Sequence, residues 1–206
     1  MLQSKKHEVQ MMNNQEKIKV TVLPAFELPL VEQRETGLAH TSFQKEVDLY
    51  HAIQRGQVEQ VKKKMQEYLD GGLVVGRLSN HPTRQLHYWA IACISLAVHY
   101  AILGGLDETD GFNYSDEFIR TIDQMVCFEE CIEYLQTKAV ELTEAVHQYI
   151  IENKIKNSLI ELEDGESYGM ISYKYGFCSE SHYIHCFKKI VGVTPGQYRK
   201  KTVGFH

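Results

Sequence analysis

The chain has little that catalysis, covalent cross-linking or membrane insertion would need. Its 206 residues hold no phosphate-cradling glycine loop, no paired-carboxylate signature and no nucleophile with a base and an orienting partner, so an enzyme is not expected. Five cysteines, Cys93, Cys127, Cys131, Cys178 and Cys186, are odd in number and form no CxxC pair, which argues for reduced thiols rather than a disulfide framework. No apolar run approaches the roughly 20 residues of a membrane helix. The opening stretch MLQSKKHEVQMMNNQEK lacks the apolar centre of a signal peptide. A cytoplasmic protein that does not engage a membrane is the expectation. Between Phe128 and Asp164 there is neither Gly nor Pro, so nothing in the sequence forces a helix to break there.

What is present has the balance of a globular protein: 43% hydrophobic and 24% charged residues, enough for one domain of ordinary size or two small ones. The net charge of −5 is unevenly spread. Residues 1–150 carry 14 Lys and Arg against 21 Asp and Glu, whereas 151–206 carry 8 against 6. From Lys174 onward six basic residues face only Glu180. The first part reads as a scaffold or sensor and the last as a surface for an anionic partner.

Residues 1–41 read as an N-terminal arm with little regular structure. In it Lys19-Val-Thr-Val-Leu23 alternates like a short strand, and Pro24 and Pro29 then break any regular pattern. Residues 42–147 read as a helical domain. Ser42 caps a helix with the apolar face Phe43, Val47, Tyr50 and Ile53, ending at Gly56, and Gln57 to Leu69 forms a second. Lys62-Lys63-Lys64 is either a solvated helix face or a phosphate contact. Gly71-Gly72 to Gly76 reads as a loop. Thr83 to Leu103 is the most apolar helix and should be the centre of the domain, stopping at Gly104-Gly105. Asn113 or Ser115 should cap a helix through Met125, and Phe128 starts another that runs on past Val146.

The densest local signals lie in GFCSESHYIHCFKKIVGVTPGQYRK, residues 176–200. Ser179 is a good N-cap, and Tyr183, Phe187 and Ile190 recur at i, i+4 and i+7, which puts three large apolar groups on one stripe. Gly192 suits a left-handed helix end, and Thr194 with Pro195 starts the next helix. Upstream, Ser167 to Tyr175 is one more short helix, closed by Gly176. Helix, glycine-containing turn and helix is the helix-turn-helix arrangement, whose second helix lies in the major groove.

The runs Ile171-Ser-Tyr-Lys-Tyr-Gly-Phe177, Ser179-x-Ser181-His182-Tyr183-x-x-x-Phe187-Lys188-Lys189 and Gly192-x-Thr194-Pro195-x-x-Tyr198-Arg199 resemble the signature of the AraC/XylS family of bacterial transcription regulators. The stretch from about Glu46 to His147 is similar, more loosely, to a helical companion region ahead of the DNA-binding part in many such regulators. Tyr149-Ile150, Lys154-Ile155 and Leu159 to Leu162 resemble the linker helix that leaves a first helix-turn-helix. Only the second of the family's two such units is found here. The resemblance therefore implies an all-α chain, a helical companion domain for dimerisation or sensing followed at 148–206 by a linker helix and one AraC-type, homeodomain-like helix-turn-helix.

It also implies a transcription regulator binding double-stranded DNA, with Glu180, Ser181, Ile184 and His185 on the groove side of helix 179–191 and Lys188, Lys189, Arg199, Lys200 and Lys201 toward phosphate. The family commonly has an arginine at the position of His185 and a small polar residue at that of Ile184. A neutral His offers one donor and one acceptor instead of the fork that reads guanine. The surface then either reads DNA with altered or weak specificity or no longer reads it and acts through a mixed dimer with an intact regulator; a homodimer is expected in the first case. Cys178, His182, His185 and Cys186 lie close in helical projection, yet Cys186 falls in the apolar stripe, so packing is expected rather than zinc, and no metal or cofactor is assigned. His87, Trp89, His99 and Tyr100 either line a small-molecule effector pocket or serve as core and surface.

Overall fold

The structure, a computed structural model, describes residues 20–23 and 42–203; the rest of the 1–41 arm lies outside the described residues. The chain divides into two compact units that part between His147 and Gln148. Among the described residues the regular structure is helical apart from one two-stranded ribbon.

In the first unit, β1 (Val20–Val22) pairs in parallel with β2 (Leu73–Val75), Val20 opposite Leu73 and Val22 opposite Val75. Leu23 N then donates to Val75 O at 2.8 Å. Val20–Val22 of the alternating stretch is therefore a strand, and the stretch read as a loop between Gly72 and Gly76 holds its partner. Leu73 and Val75 are buried, so the ribbon's apolar side faces the core. Buried Gln85 fastens the chain beyond the ribbon, accepting from the amides of Leu78 at 2.6 Å and Ser79 at 3.0 Å and donating to Gly76 O at 2.8 Å. These hydrogen bonds offset the desolvation of the buried amide and fix the loop.

Around the ribbon run α1 (Phe43–Gln54), α2 (Val58–Gly71), α3 (Pro82–Leu103), α4 (Glu108–Ile122) and the first part of α5 (Phe128–Asn157). On α1, Tyr50 and Ile53 are buried as expected, but Phe43 is 75% exposed and does not belong to the apolar face. Lys62 and Lys63 pair with Glu59 and Glu67 along α2, and Lys64 reaches Asp48, the pattern of a solvated helix face. The α3 helix packs on α1 and α4 and buries Leu86, Ala90, Ile94, Ala97, Val98 and Ala101. By length and composition alone α3 is apolar enough to cross a membrane, contrary to the expectation from apolar runs; a core helix passes the same test, and this one has a buried face.

The start of α4 is a correction. Its cap is Asp107, whose Oδ1 accepts from Thr109 N at 2.9 Å and Asp110 N at 3.2 Å, so Asn113 and Ser115 lie inside the helix. Gly111 is tolerated there because a Cβ would come within 2.7 Å of Ile102, and helix packing needs the missing atom more than the helix needs alanine.

In the second unit, the rest of α5 is followed by α6 (Leu159–Glu163), α7 (Tyr168–Lys174), α8 (Glu180–Val191) and α9 (Pro195–Val203). The long helix does break, at Ser158. That buried serine donates its hydroxyl to Ile155 O at 2.8 Å, and Tyr183 Oη lies 3.2 Å from the same Oγ. With the serine proton committed, the tyrosine is the donor. The break is thus a tertiary feature, without any Gly or Pro.

Candidate nucleic-acid interface

Each boundary of the helix-turn-helix is made by a short polar side chain or a glycine. Ser167 Oγ accepts from Met170 N at 3.2 Å and starts α7. The turn closes with Gly176 N on Tyr173 O and Phe177 N on Ser172 O at 2.8 Å. Ser179 Oγ then accepts from His182 N at 3.1 Å to cap α8. Gly192 ends that helix in the left-handed region at φ +86°, where a side chain would be strained. A reciprocal capping box comes next: Thr194 Oγ1 accepts from Gln197 N at 3.3 Å, and Gln197 Oε1 accepts from Thr194 N at 3.0 Å. Thr194 is therefore a cap.

The inner stripe of α8 is the core of the unit. Tyr183 and Phe187 are fully buried with Ile155, Leu162 and Ile171 around them. Their rings continue an edge-to-face chain, Phe177 to Tyr183 at 5.3 Å, Tyr183 to Phe187 at 5.8 Å and Phe187 to Tyr198 at 5.6 Å. Burial pushes the Tyr183 hydroxyl above its ordinary range, so it remains a protonated donor to Ser158. Lys154 braces the turn from α5, with Nζ on Gly176 O at 3.2 Å and 5.5 Å from the Phe177 ring centroid. No sequence signal marked that role.

The outer stripe carries Glu180, Ser181, His185, Lys188 and Lys189, all exposed. Ile184 differs from that expectation: it is half-buried and packs against the core, so only its edge belongs to the outer face. Lys200 and Lys201 are exposed on α9. Among the described residues no carboxylate pairs with Lys188, Lys189, Lys200 or Lys201. Each pair also sits in the last turn of its helix, where the dipole favours positive charge.

Two other cations are committed inside the unit. Lys174 is bonded to Glu161, and that donation, with a further one from Tyr175, holds the Glu161 carboxyl below its ordinary range. Arg199, expected toward phosphate, also braces the unit from within. Its Nε donates to Leu162 O at 2.9 Å, a terminal nitrogen donates to Glu166 O, and the guanidinium lies 5.0 Å from the Tyr168 ring centroid. Two of the five guanidinium donors are thereby taken by carbonyls of the same unit. Arg199→Ala should therefore lower the stability of this unit by about 1 to 3 kcal/mol, read as a drop in its denaturant midpoint.

Cys178 is exposed and Cys186 buried, and His182 Nδ1 is taken by the Cys178 amide at 3.4 Å. Among the described residues no group of three or more His, Cys, Asp or Glu side chains is arranged to hold a metal ion.

The residues considered for an effector pocket are not brought together. His87 Nε2 donates to Met125 O at 2.7 Å, His99 is exposed against Phe112, and Tyr100 stacks on Tyr50 at 5.4 Å. Only Trp89 reaches a cavity, which lies in the first unit. Of the four residues, Trp89 alone is among those that line that cavity.

Residues 166–200 match the family described as bacterial regulatory helix-turn-helix proteins, AraC family. No curated protein and no solved structure matches the chain. The matched span runs from the residue before the α7 cap to Lys200 on α9, so it covers the caps at Ser167, Ser179 and Thr194, the turn and the outer stripe just described. Residues 166–200 are thus an AraC-family helix-turn-helix unit, the unit of a DNA-binding transcription regulator of that type, carried at the C-terminal end of a helical chain.

Proposed function

We propose that the chain is a cytoplasmic, non-enzymatic regulator that lays α8 in the major groove of double-stranded DNA and acts as a homodimer formed through the first unit. The observation that carries this is the outer stripe of α8, where Ser181 and His185 stand exposed beside the Tyr183/Phe187 core, with the exposed Lys188 and Lys189 further along the helix. Glu180, Ser181, Ile184 and His185 would meet base edges, and Lys188, Lys189 and Lys200 would meet phosphate. One module of this kind buries roughly 600 to 1,000 Å² on DNA. Tight specific binding then favours two copies on half-sites about one helical turn, or a multiple of it, apart.

Two features of the same stripe favour a second reading. Ile184 turns toward the core, and His185 brings no fork for guanine. A chain whose surface has lost DNA reading would instead modulate an intact regulator by mixed dimerisation through the first unit.

Binding to duplexes carrying one half-site or two at varied spacing separates the two readings. The DNA-binding reading expects the whole chain to prefer paired half-sites and residues 148–206 alone to bind poorly without a spacing preference. It also expects His185→Arg to raise sequence-specific affinity, because a bidentate contact is worth about 1 to 3 kcal/mol of discrimination. No binding by wild type or His185→Arg at low salt, together with co-purification of a full-length regulator, would favour the mixed dimer.

A further inference from the structure

The first unit contains an apolar cavity of about 380 Å³ between α1, α2, β2, α3 and α5, at the lower end of the size range of small-molecule sites. Its walls are mostly aliphatic and aromatic, with Tyr50, Tyr68 and Trp89 among them. Two polar groups stand out against that lining. Tyr68 Oη is buried and has no hydrogen-bond partner among the described residues, a group left at a cost unless something else meets it. Tyr50 Oη, by contrast, already donates to Cys93 O at 3.2 Å. The Glu46 carboxylate also lines the cavity, and among the described residues no Lys, Arg or His pairs with it. Nearby Lys64 is turned to Asp48.

We infer that this cavity binds a lipophilic organic amine, its apolar body among Tyr50, Trp89 and the aliphatic walls and its ammonium on Glu46 and Tyr68 Oη. An ammonium has only donors, and Tyr68 Oη and the carboxylate both accept. An anionic ligand of the same size would meet the unpaired carboxylate with like charge. Burial first, and then Glu46, hold the Tyr68 hydroxyl well above its ordinary range, so it stays neutral beside a bound cation. The site lies wholly within the first unit, and it does not depend on whether α8 reads DNA.

Trp89 is the single tryptophan of the chain and lines the cavity, so its fluorescence reports occupancy. The test titrates the full chain with 1-adamantylmethylamine, 1-adamantylmethanol and 1-adamantanecarboxylate, three probes of one shape that differ in charge, and checks each by calorimetry. The amine should saturate one site and perturb Trp89, the alcohol should bind about tenfold more weakly or worse, a difference of about 1.4 kcal/mol, and the carboxylate should not bind. Glu46→Gln should bring the amine to the affinity of the alcohol, and Tyr68→Phe should weaken both. Equal binding of amine and alcohol, an unchanged amine affinity in Glu46→Gln, tighter binding of the carboxylate, or no saturable binding of any probe would each overturn the inference. The α-helical circular dichroism of both variants establishes that a lost signal is a lost site.

Discussion

Phe187→Ala should unfold the second unit while leaving the first intact. Phe187 is fully buried at the meeting point of the Tyr183 and Tyr198 rings, and truncating a core phenylalanine costs about 3 to 5 kcal/mol. A whole domain is held by only about 5 to 15 kcal/mol, and one this small stands at the low end. Hydrogen exchange resolved by peptide is the measurement. Peptides from α7, α8 and α9 should lose protection, while those from α3 and α4 keep it. Undiminished protection across α8 would show that the stripe through Tyr183 and Phe187 is not the core of the unit.

Gly56→Ala should destabilise the first unit by about 2 to 5 kcal/mol, because two independent penalties fall on one atom. Gly56 sits at φ +64°, where an L side chain crowds the following carbonyl, and a Cβ there would stand 2.7 Å from the Cα of His147. The neighbour is backbone on α5, so it cannot swing aside. The contact is also held from the other direction, since His147 Nδ1 lies 3.1 Å from Gly56 O. A denaturant titration followed by Trp89 fluorescence reads this unit alone. An unchanged midpoint would mean that the close approach of the α1–α2 turn to α5 is not maintained in solution.

The features legible in the sequence were local ones. Ser167, Ser179, Thr194, Gly176 and Gly192 act within a few residues of themselves, so their chemistry marks the helices of the second unit directly. The features that escaped depend on distant partners. The strand Leu73–Val75 sits among glycines and is recognisable only once Val20–Val22 lies beside it. Asp107 caps α4 ahead of Gly111, a glycine whose place inside the helix is explained only by Ile102 packed against it. The break at Ser158 needs Tyr183, and the brace made by Arg199 needs the carbonyls of Leu162 and Glu166. The same limit explains the effector residues: aromatic content picked out α3, but only packing determines which of its faces borders the cavity along Trp89 and Cys93.

The surface proposed to meet DNA was legible in part. Its exposed lysines are set by the position of the apolar stripe, since residues off that stripe on α8 face outward. Ile184 was not legible in this way, because a residue at the border of the stripe can turn either way, and here it packs inward.

Salt dependence of DNA affinity tests the central claim most directly. The full chain is titrated against fluorescent duplex DNA by anisotropy from about 50 to 200 mM salt, in wild type and in Lys188→Ala and Lys200→Ala. Each phosphate contact contributes about 0.9 to the slope of log K against log salt. Wild type should bind measurably at low salt, with a slope lowered by about one unit in each variant and a loss of affinity that is nearly uniform across sequences. Wild-type chain that fails to bind duplex DNA even at the lowest salt, or a slope unchanged in both variants, would contradict that claim.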